Sequence, residues 1–289
     1  MKPPSSAKGS CALRGDYASA AADYTVPQDW ASYTDPMHDR WRRLHARQLA
    51  LAHRYAAPQF LSGLTMLGCA EGIPRFDHAN RILGDATGWS LVAVPGFIPE
   101  ACFFDHLANR RFPVTRWLRE EHELAYLVEP DIFHDFFGHV PMLIDPSIAE
   151  FLAAYGRAGR RAIDMGALEM LARIYWYTIE FGLIDEGEGL KVFGAGIISS
   201  AGETVFSVED RRVLRLRFDP ARILRTAYHI DRFQDCYFVL DSLDQLVGGL
   251  TGLDFGPIYE AWRGSLPFEA GKVQPGDRLW QPAAKFHEG

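Results

Sequence analysis

Two histidines stand five positions apart in the segment Glu129-Pro130-Asp131-Ile132-Phe133-His134-Asp135-Phe136-Phe137-Gly138-His139-Val140-Pro141. On an ideal α-helix, at roughly 100° per residue, that spacing separates their side chains by roughly 140°. It is not the one-face pairing of a zinc-binding HExxH helix, whose histidines are four apart. Gly138 and Pro141 favour an end or distortion of the helix here, after which His139 could swing round and share a metal with His134. Two unrelated histidines, one in the core and one exposed, are the alternative that spacing leaves open.

Glu180 adds a third donor. It lies in Ile174-Tyr175-Trp176-Tyr177-Thr178-Ile179-Glu180-Phe181-Gly182-Leu183-Ile184, a run apolar all round and so expected to be a largely buried helix. A buried carboxylate needs a cation, an arginine or a metal, because leaving it unpaired costs several kcal/mol. Two neutral imidazoles and one carboxylate with open positions describe the facial triad of non-heme Fe(II) oxygenases. A salt bridge from Glu180 to Arg119 or Arg173 is the competing reading, and a zinc hydrolase using the same three donors is the competing chemistry. The glycine-rich stretch from Phe193 to Glu203 resembles a dinucleotide-binding loop only superficially: Ser199 replaces its third glycine and no βαβ unit surrounds it. A tight turn delivering hydroxyls and backbone groups to a pocket suits it better.

Several elements must position these groups. Asp35-Pro36, Asp145-Pro146 and Asp219-Pro220 each pair a capping residue with a first-turn proline, and predict helix starts. The first leads Met37, Trp41, Leu44, Leu51 and Tyr55 at helical spacing as far as Pro58, and a long helical pattern runs from about Ala167 to Leu183. Strand composition marks residues 89–98 and 213–218, while residues 236–240 suit a strand or a buried helical segment. The predicted fold class is mainly α with minor β. A single catalytic domain is expected over residues 28–289, irregular from about 265, after a mobile tail at residues 1–27.

With 30 Lys+Arg against 37 Asp+Glu, the net charge of −7 and the absence of a basic stripe argue against nucleic-acid binding. No stretch approaches a membrane-spanning apolar run. The four cysteines show neither close pairing nor a CxxC, so a reducing cytoplasm is the expected location.

Residues 129–141, 174–183 and 194–203 together resemble the pterin-dependent aromatic amino acid hydroxylases, with weaker similarity over 95–119 and 228–240. The resemblance implies that family's catalytic-domain fold, and Fe(II) held by His134, His139 and Glu180. It implies a substrate site in which Arg119 binds the α-carboxylate and Asp131 holds that arginine. Pro130 and Trp176 would line the ring pocket, Phe133 would lie on the wall beside His134, and the Ser199 hydroxyl would contact substrate. A tetrahydropterin, tetrahydrobiopterin or a relative, would lie at Gly96, Ile98 and Phe103, with Phe103 stacking on it and Asp135, Ala172 and Tyr175 closing the other side. Two residues depart from the family pattern: Asp135 stands where several members have Glu, and Leu127 where animal members have a hydroxyl residue. The implied reaction is hydroxylation of L-phenylalanine to L-tyrosine with O2, with tryptophan or another ring position as the alternative. A monomer is expected, since residues 1–27 cannot house the regulatory domain of animal members and the end of the chain lacks their heptad repeats.

Overall fold

The computed structural model describes residues 14–124, 127, 129–251 and 254–281. Helices α1 (Asp35–Tyr55), α2 (Pro58–Leu67) and α3 (Phe76–Thr87) precede strand β1 (Ser90–Val94), helix α4 (Glu100–Ala108) and strand β2 (Arg111–Thr115). A π-helical segment over Phe133–His139 runs through a 3-10 turn into α5 (Pro146–Asp164). Helix α6 (Leu168–Tyr175) passes into a second π-helical segment, Trp176–Glu180, and then strand β3 (Gly182–Ile184). After it come β4 (Lys191–Val192), α7 (Ala195–Ile198), α8 (Ala201–Glu209), β5 (Leu214–Arg217), α9 (Pro220–Ile223), β6 (Cys236–Leu240), α10 (Asp244–Thr251) and α11 (Phe255–Trp262). Mainly helical with two small sheets, the molecule has the predicted fold class.

Strands β1 and β2 pair in parallel, and the second sheet has the order β4-β3-β6-β5, parallel except for the β3–β4 pair. All five residues of β6 are buried, which settles residues 236–240 as a central strand. The helical pattern expected to reach Leu183 stops at Glu180 instead. A run apolar all round carries no facial periodicity to mark its end, and Gly182–Ile184 are drawn into a parallel ladder against Phe238–Leu240. Two of the three Asp-Pro signals work as capped starts. Asp145 accepts from the N–H groups of Ser147 and Ile148 at 2.9 and 3.3 Å, and Asp219 from that of Arg222 at 3.1 Å. At the first, Thr34 occupies the cap and Asp35 is already helical.

The core lies between α1, α2, α5 and the π-helical segments, where Trp41, Phe60, Phe133, Phe136, Phe137, Phe151 and Tyr155 are all fully buried. Phe133 and Phe137 stack at 4.8 Å, and Trp41 meets Phe133 edge-on at 5.3 Å.

Residues 14–27 do not form the expected tail. The Val26 N–H donates to Ala93 O of β1 at 2.9 Å, the Tyr17 hydroxyl to Phe97 O at 3.1 Å, and the Arg14 guanidinium pairs with Glu123. Serine, alanine and glycine content concealed a segment whose backbone groups and few large side chains find partners on the β1 side of the domain. Residues 1–13, the rest of the expected tail, lie outside the described residues. The stretch from 265 to 281 lies as a strap along β5: the Arg217 N–H donates to Arg278 O at 2.7 Å and that of Trp280 to Arg215 O at 2.9 Å.

Candidate active site

The two π-helical segments explain why a five-residue spacing can serve one site. In π winding the N–H of residue i+5 turns back to the carbonyl of residue i, so positions five apart stack on one face. His134 and His139 therefore face each other, ring centroids 5.1 Å apart and planes at 83°. In the second segment the Phe181 N–H closes on Trp176 O at 2.8 Å, and Glu180 is carried to the imidazoles. Its Oε1 lies 3.2 Å from His139 Nε2 and its Oε2 3.6 Å from His134 Nε2. Neither arginine weighed as its partner competes: Arg119 is engaged by Asp131, and Arg173 by Leu224 O and Glu169.

The glycines at 194 and 196 serve this carboxylate. A Cβ on Gly194 would stand 2.5 Å from Glu180 O, and one on Gly196 3.1 Å from it, so the turn packs on the backbone of Glu180 and leaves no bay for a phosphate. The same turn delivers Ser199. Its hydroxyl donates to Ala195 O at 2.7 Å and lies 2.9 Å from His134 Nδ1. With the hydroxyl hydrogen committed to the carbonyl, His134 Nδ1–H is the donor in the second contact, which leaves the Nε2 lone pair toward Glu180 and His139.

The donor set fits a divalent ion of the iron class. Ligand atoms roughly 2.1 Å from one ion and at right angles stand roughly 3 Å apart, close to the spacing of Glu180 from each Nε2. Burial lowers the pKa of His134 and favours neutral imidazole. For Glu180 burial is the largest influence and raises the pKa, but the two histidines together outweigh it and hold the carboxyl below its ordinary value. Asp135 also brings a carboxylate oxygen within 4.8 Å of the histidine donors. However, its Oδ2 accepts from the Thr115 N–H at 2.7 Å, and burial raises its pKa, so Glu180 is the better third donor.

Arg119 follows β2 in a segment held by α1, whose Arg40 donates to Arg119 O at 2.7 Å. Arg119 Nε and Nη2 donate to the two oxygens of the fully buried Asp131, each at 2.8 Å, and Asp131 also accepts from the N–H groups of Arg119 and His134. This fork fixes the guanidinium beside the first histidine and leaves its Nη1 without a protein partner among the described residues. Phe133, expected on the pocket wall, is instead wholly buried, with the Arg119 guanidinium 5.5 Å from its ring centre. π winding turns it toward Trp41 and Phe137, away from the face of His134.

The other predicted residues surround the three donors unevenly. Trp176 is half-buried, stacks on Tyr228 at 4.3 Å and meets Phe181 at 4.7 Å; Pro130 is half-buried next to Asp131. Tyr175 lies 6.0 Å from the His139 ring and meets Phe103 edge-on at 5.8 Å, with burial pushing its phenol well above the ordinary range. Ile98 and Ala172 are buried. Gly96 is crowded on its own side of the turn: a Cβ would meet Glu129 Oε1 at 2.7 Å and the Tyr17 hydroxyl at 2.8 Å. Sequence reasoning passed over Gln234, whose Oε1 accepts from the Trp176 indole N–H at 3.0 Å, and Glu203, buried behind it. Glu203 ends the flagged glycine stretch, but Thr204, Ser207 and Glu209 beside it leave no all-round apolar run of the kind that marked Glu180.

Residues 6–251 match the family described as biopterin-dependent aromatic amino acid hydroxylase, and the chain belongs to that family. It is 52% identical over 259 residues to a phenylalanine-4-hydroxylase of Ralstonia nicotianae, covering 89% of this chain and 82% of that protein. A Chromobacterium violaceum phenylalanine-4-hydroxylase is 49% identical over 258 residues, 89% of this chain and 86% of the relative. The crystal structure of phenylalanine hydroxylase from C. violaceum with iron and phenylalanine bound superposes with a TM-score of 0.86 at 47% identity, covering 91% of this chain and 96% of that one.

Proposed function

We propose that the protein hydroxylates L-phenylalanine to L-tyrosine, with O2 and a tetrahydropterin as co-substrates and Fe(II) held by His134, His139 and Glu180. The observation that carries this reading is the Glu180 carboxylate spanning both Nε2 atoms, with Arg119 anchored beside them. When bound, the iron and the pterin supply the electrons and the activation of dioxygen; one oxygen atom goes to the ring and the other to the pterin. What the chain does is hold and orient. Ser199 keeps His134 in the tautomer that presents Nε2, and Asp131 aims the guanidinium of Arg119 so that Nη1 meets the substrate carboxylate. Trp176 and Pro130 bound the space for the ring, and an aromatic lining excludes water from the oxidant. Phe103, Tyr175, Ile98, Ala172 and the Gly96 turn form the pterin side; Asp135, tied to Thr115, faces it with one carboxylate oxygen already engaged.

Product analysis with Fe(II), a tetrahydropterin and phenylalanine, tyrosine or tryptophan in separate reactions tests the reading. Tyrosine from phenylalanine, dependent on both iron and pterin, is the expected result. 5-Hydroxytryptophan as the main product, or full activity with zinc alone, would overturn it. His134→Ala is expected to lose bound iron and product together. We further read the protein as a cytoplasmic monomer. Support comes from free Cys69, Cys102 and Cys236, and from a described C-terminal strap that folds onto its own β5. Light scattering of the purified protein checks the oligomeric state.

A further inference from the structure

Behind Trp176 lies a buried polar chain with no part in holding iron. Gln234, 1% exposed, accepts the indole N–H of Trp176 at 3.0 Å. The same side chain closes the loop that precedes β6: its Oε1 accepts from the His229 N–H at 3.3 Å, and its Nε2 donates to His229 O at 2.7 Å. That loop begins at Tyr228, the ring on which the indole stacks. Gln234 is itself anchored at its backbone, where its N–H donates to Glu203 Oε1 at 3.1 Å, and the same oxygen accepts from the Tyr237 hydroxyl at 2.7 Å. Glu203 lies in the first turn of α8, four residues after Ser199, which ends α7, so the α7–α8 junction serves both the His134 side and the Trp176 side of the site. Burying a carboxyl group is costly unless hydrogen bonds compensate it, and Glu203 Oε1 receives two.

We propose that Glu203 and Gln234 are positioning residues for the aromatic substrate: Glu203 anchors Gln234, and Gln234 sets the orientation of the Trp176 indole that bounds the ring pocket. The inference rests on the phenylalanine-hydroxylase reading for the identity of the ring. Two donors converge on Glu203 Oε1, so Glu203 acts as an acceptor and its charge is dispensable. A glutamine at that position keeps the acceptor, whereas a leucine removes it.

The test compares Gln234→Leu, Glu203→Leu and Glu203→Gln, each alone and on a Trp176→Phe background, in the iron-loaded enzyme. Gln234→Leu and Glu203→Leu are expected to lower kcat/KM for phenylalanine roughly tenfold, mostly through KM, with the KM for tetrahydropterin within about twofold of the parent. Glu203→Gln is expected to stay within about twofold throughout. On the Trp176→Phe background the leucine variants should cost less than about twofold more, because coupled residues act as a unit. An equal loss on both backgrounds, or a Glu203→Gln variant as damaged as Glu203→Leu, overturns the inference. Should Glu203→Leu fail to fold, Gln234→Leu carries the same comparison. A second readout is independent of turnover: the near-ultraviolet dichroism contributed by Trp176, taken as parent minus Trp176→Phe, should fall at least about twofold when Gln234→Leu is present. An unchanged contribution counts against the inference. Failure of the parent enzyme to make tyrosine would instead count against the functional reading and leave the dichroism comparison standing.

Discussion

Ser199 shows how one hydroxyl sets the state of a neighbouring imidazole. Its hydrogen is directed at Ala195 O, so His134 must donate from Nδ1 and present a lone pair at Nε2. Ser199→Ala removes that orientation, and iron affinity is expected to fall roughly 10- to 100-fold in a chelator competition. Unchanged iron affinity with a raised KM for phenylalanine would return Ser199 to the substrate contact implied by resemblance alone. Glu203 offers a test by pH. Burial pushes its carboxyl from 4.5 up to about 7, against the hydrogen bonds from Tyr237 and Gln234. Between those values the folded chain holds a proton that the unfolded chain has released, so this group's contribution to stability falls as pH rises through the window, by about 3 kcal/mol at most. Denaturant titrations at pH 5 and pH 7.5 should show that loss in the parent and a smaller one in Glu203→Gln; identical slopes would refute it. The two imidazoles and the carboxylate proposed to hold iron were legible as residue types in the sequence itself. Phe133 was misplaced because its neighbours in sequence are on the site while its side chain belongs to the core.

At the scale of elements, two π-helical segments perform the convergence. The five-residue histidine spacing looked unfavourable because a regular α-helix was the reference, and Gly138 and Pro141 signalled only that the helix is distorted. What they do not say is which way. The close approach of the Gly194 turn to Glu180 O is equally silent in sequence, since a glycine pair there suits a phosphate loop or a tight packing contact. Gly194→Ala should therefore destabilise the protein by about 1–3 kcal/mol through overpacking and displace Glu180, lowering bound iron along with the melting temperature. A variant with parental stability and iron content would show that the turn relaxes freely. Capped helix starts at Asp145 and Asp219 were readable because a cap is a local interaction. The end of the pattern at Glu180 was not, because a partner strand more than fifty residues later in the chain decides it.

Over the whole molecule, both ends of the described chain fold back onto the catalytic body. The C-terminal strap is secured by Arg222, whose Nε donates to the buried Asp277 at 2.8 Å and whose Nη2 donates to Lys272 O at 3.0 Å. Removing one partner strands the other charge, so Asp277→Ala is expected to cost about 3–5 kcal/mol of stability with little change in KM for phenylalanine. Thermal melts beside steady-state kinetics check this, and a loss of activity without a loss of stability would contradict it. Composition described the strap and residues 14–27 alike as irregular and short of periodicity, which is true of their backbones and uninformative about what they touch. The sequence by itself determined the chemistry available here: two imidazoles and a carboxylate needing a cation, a guanidinium near them, aromatic walls, and local helix signals, all properties of residue type and near neighbours. Only the tertiary structure decided that the histidines share a face, that Glu180 reaches both, that Ser199 sets the tautomer of His134, and that Glu203 and Gln234 stand behind Trp176. Each of those depends on winding or on contacts between distant segments, where packing of the whole chain overrides what any local stretch prefers.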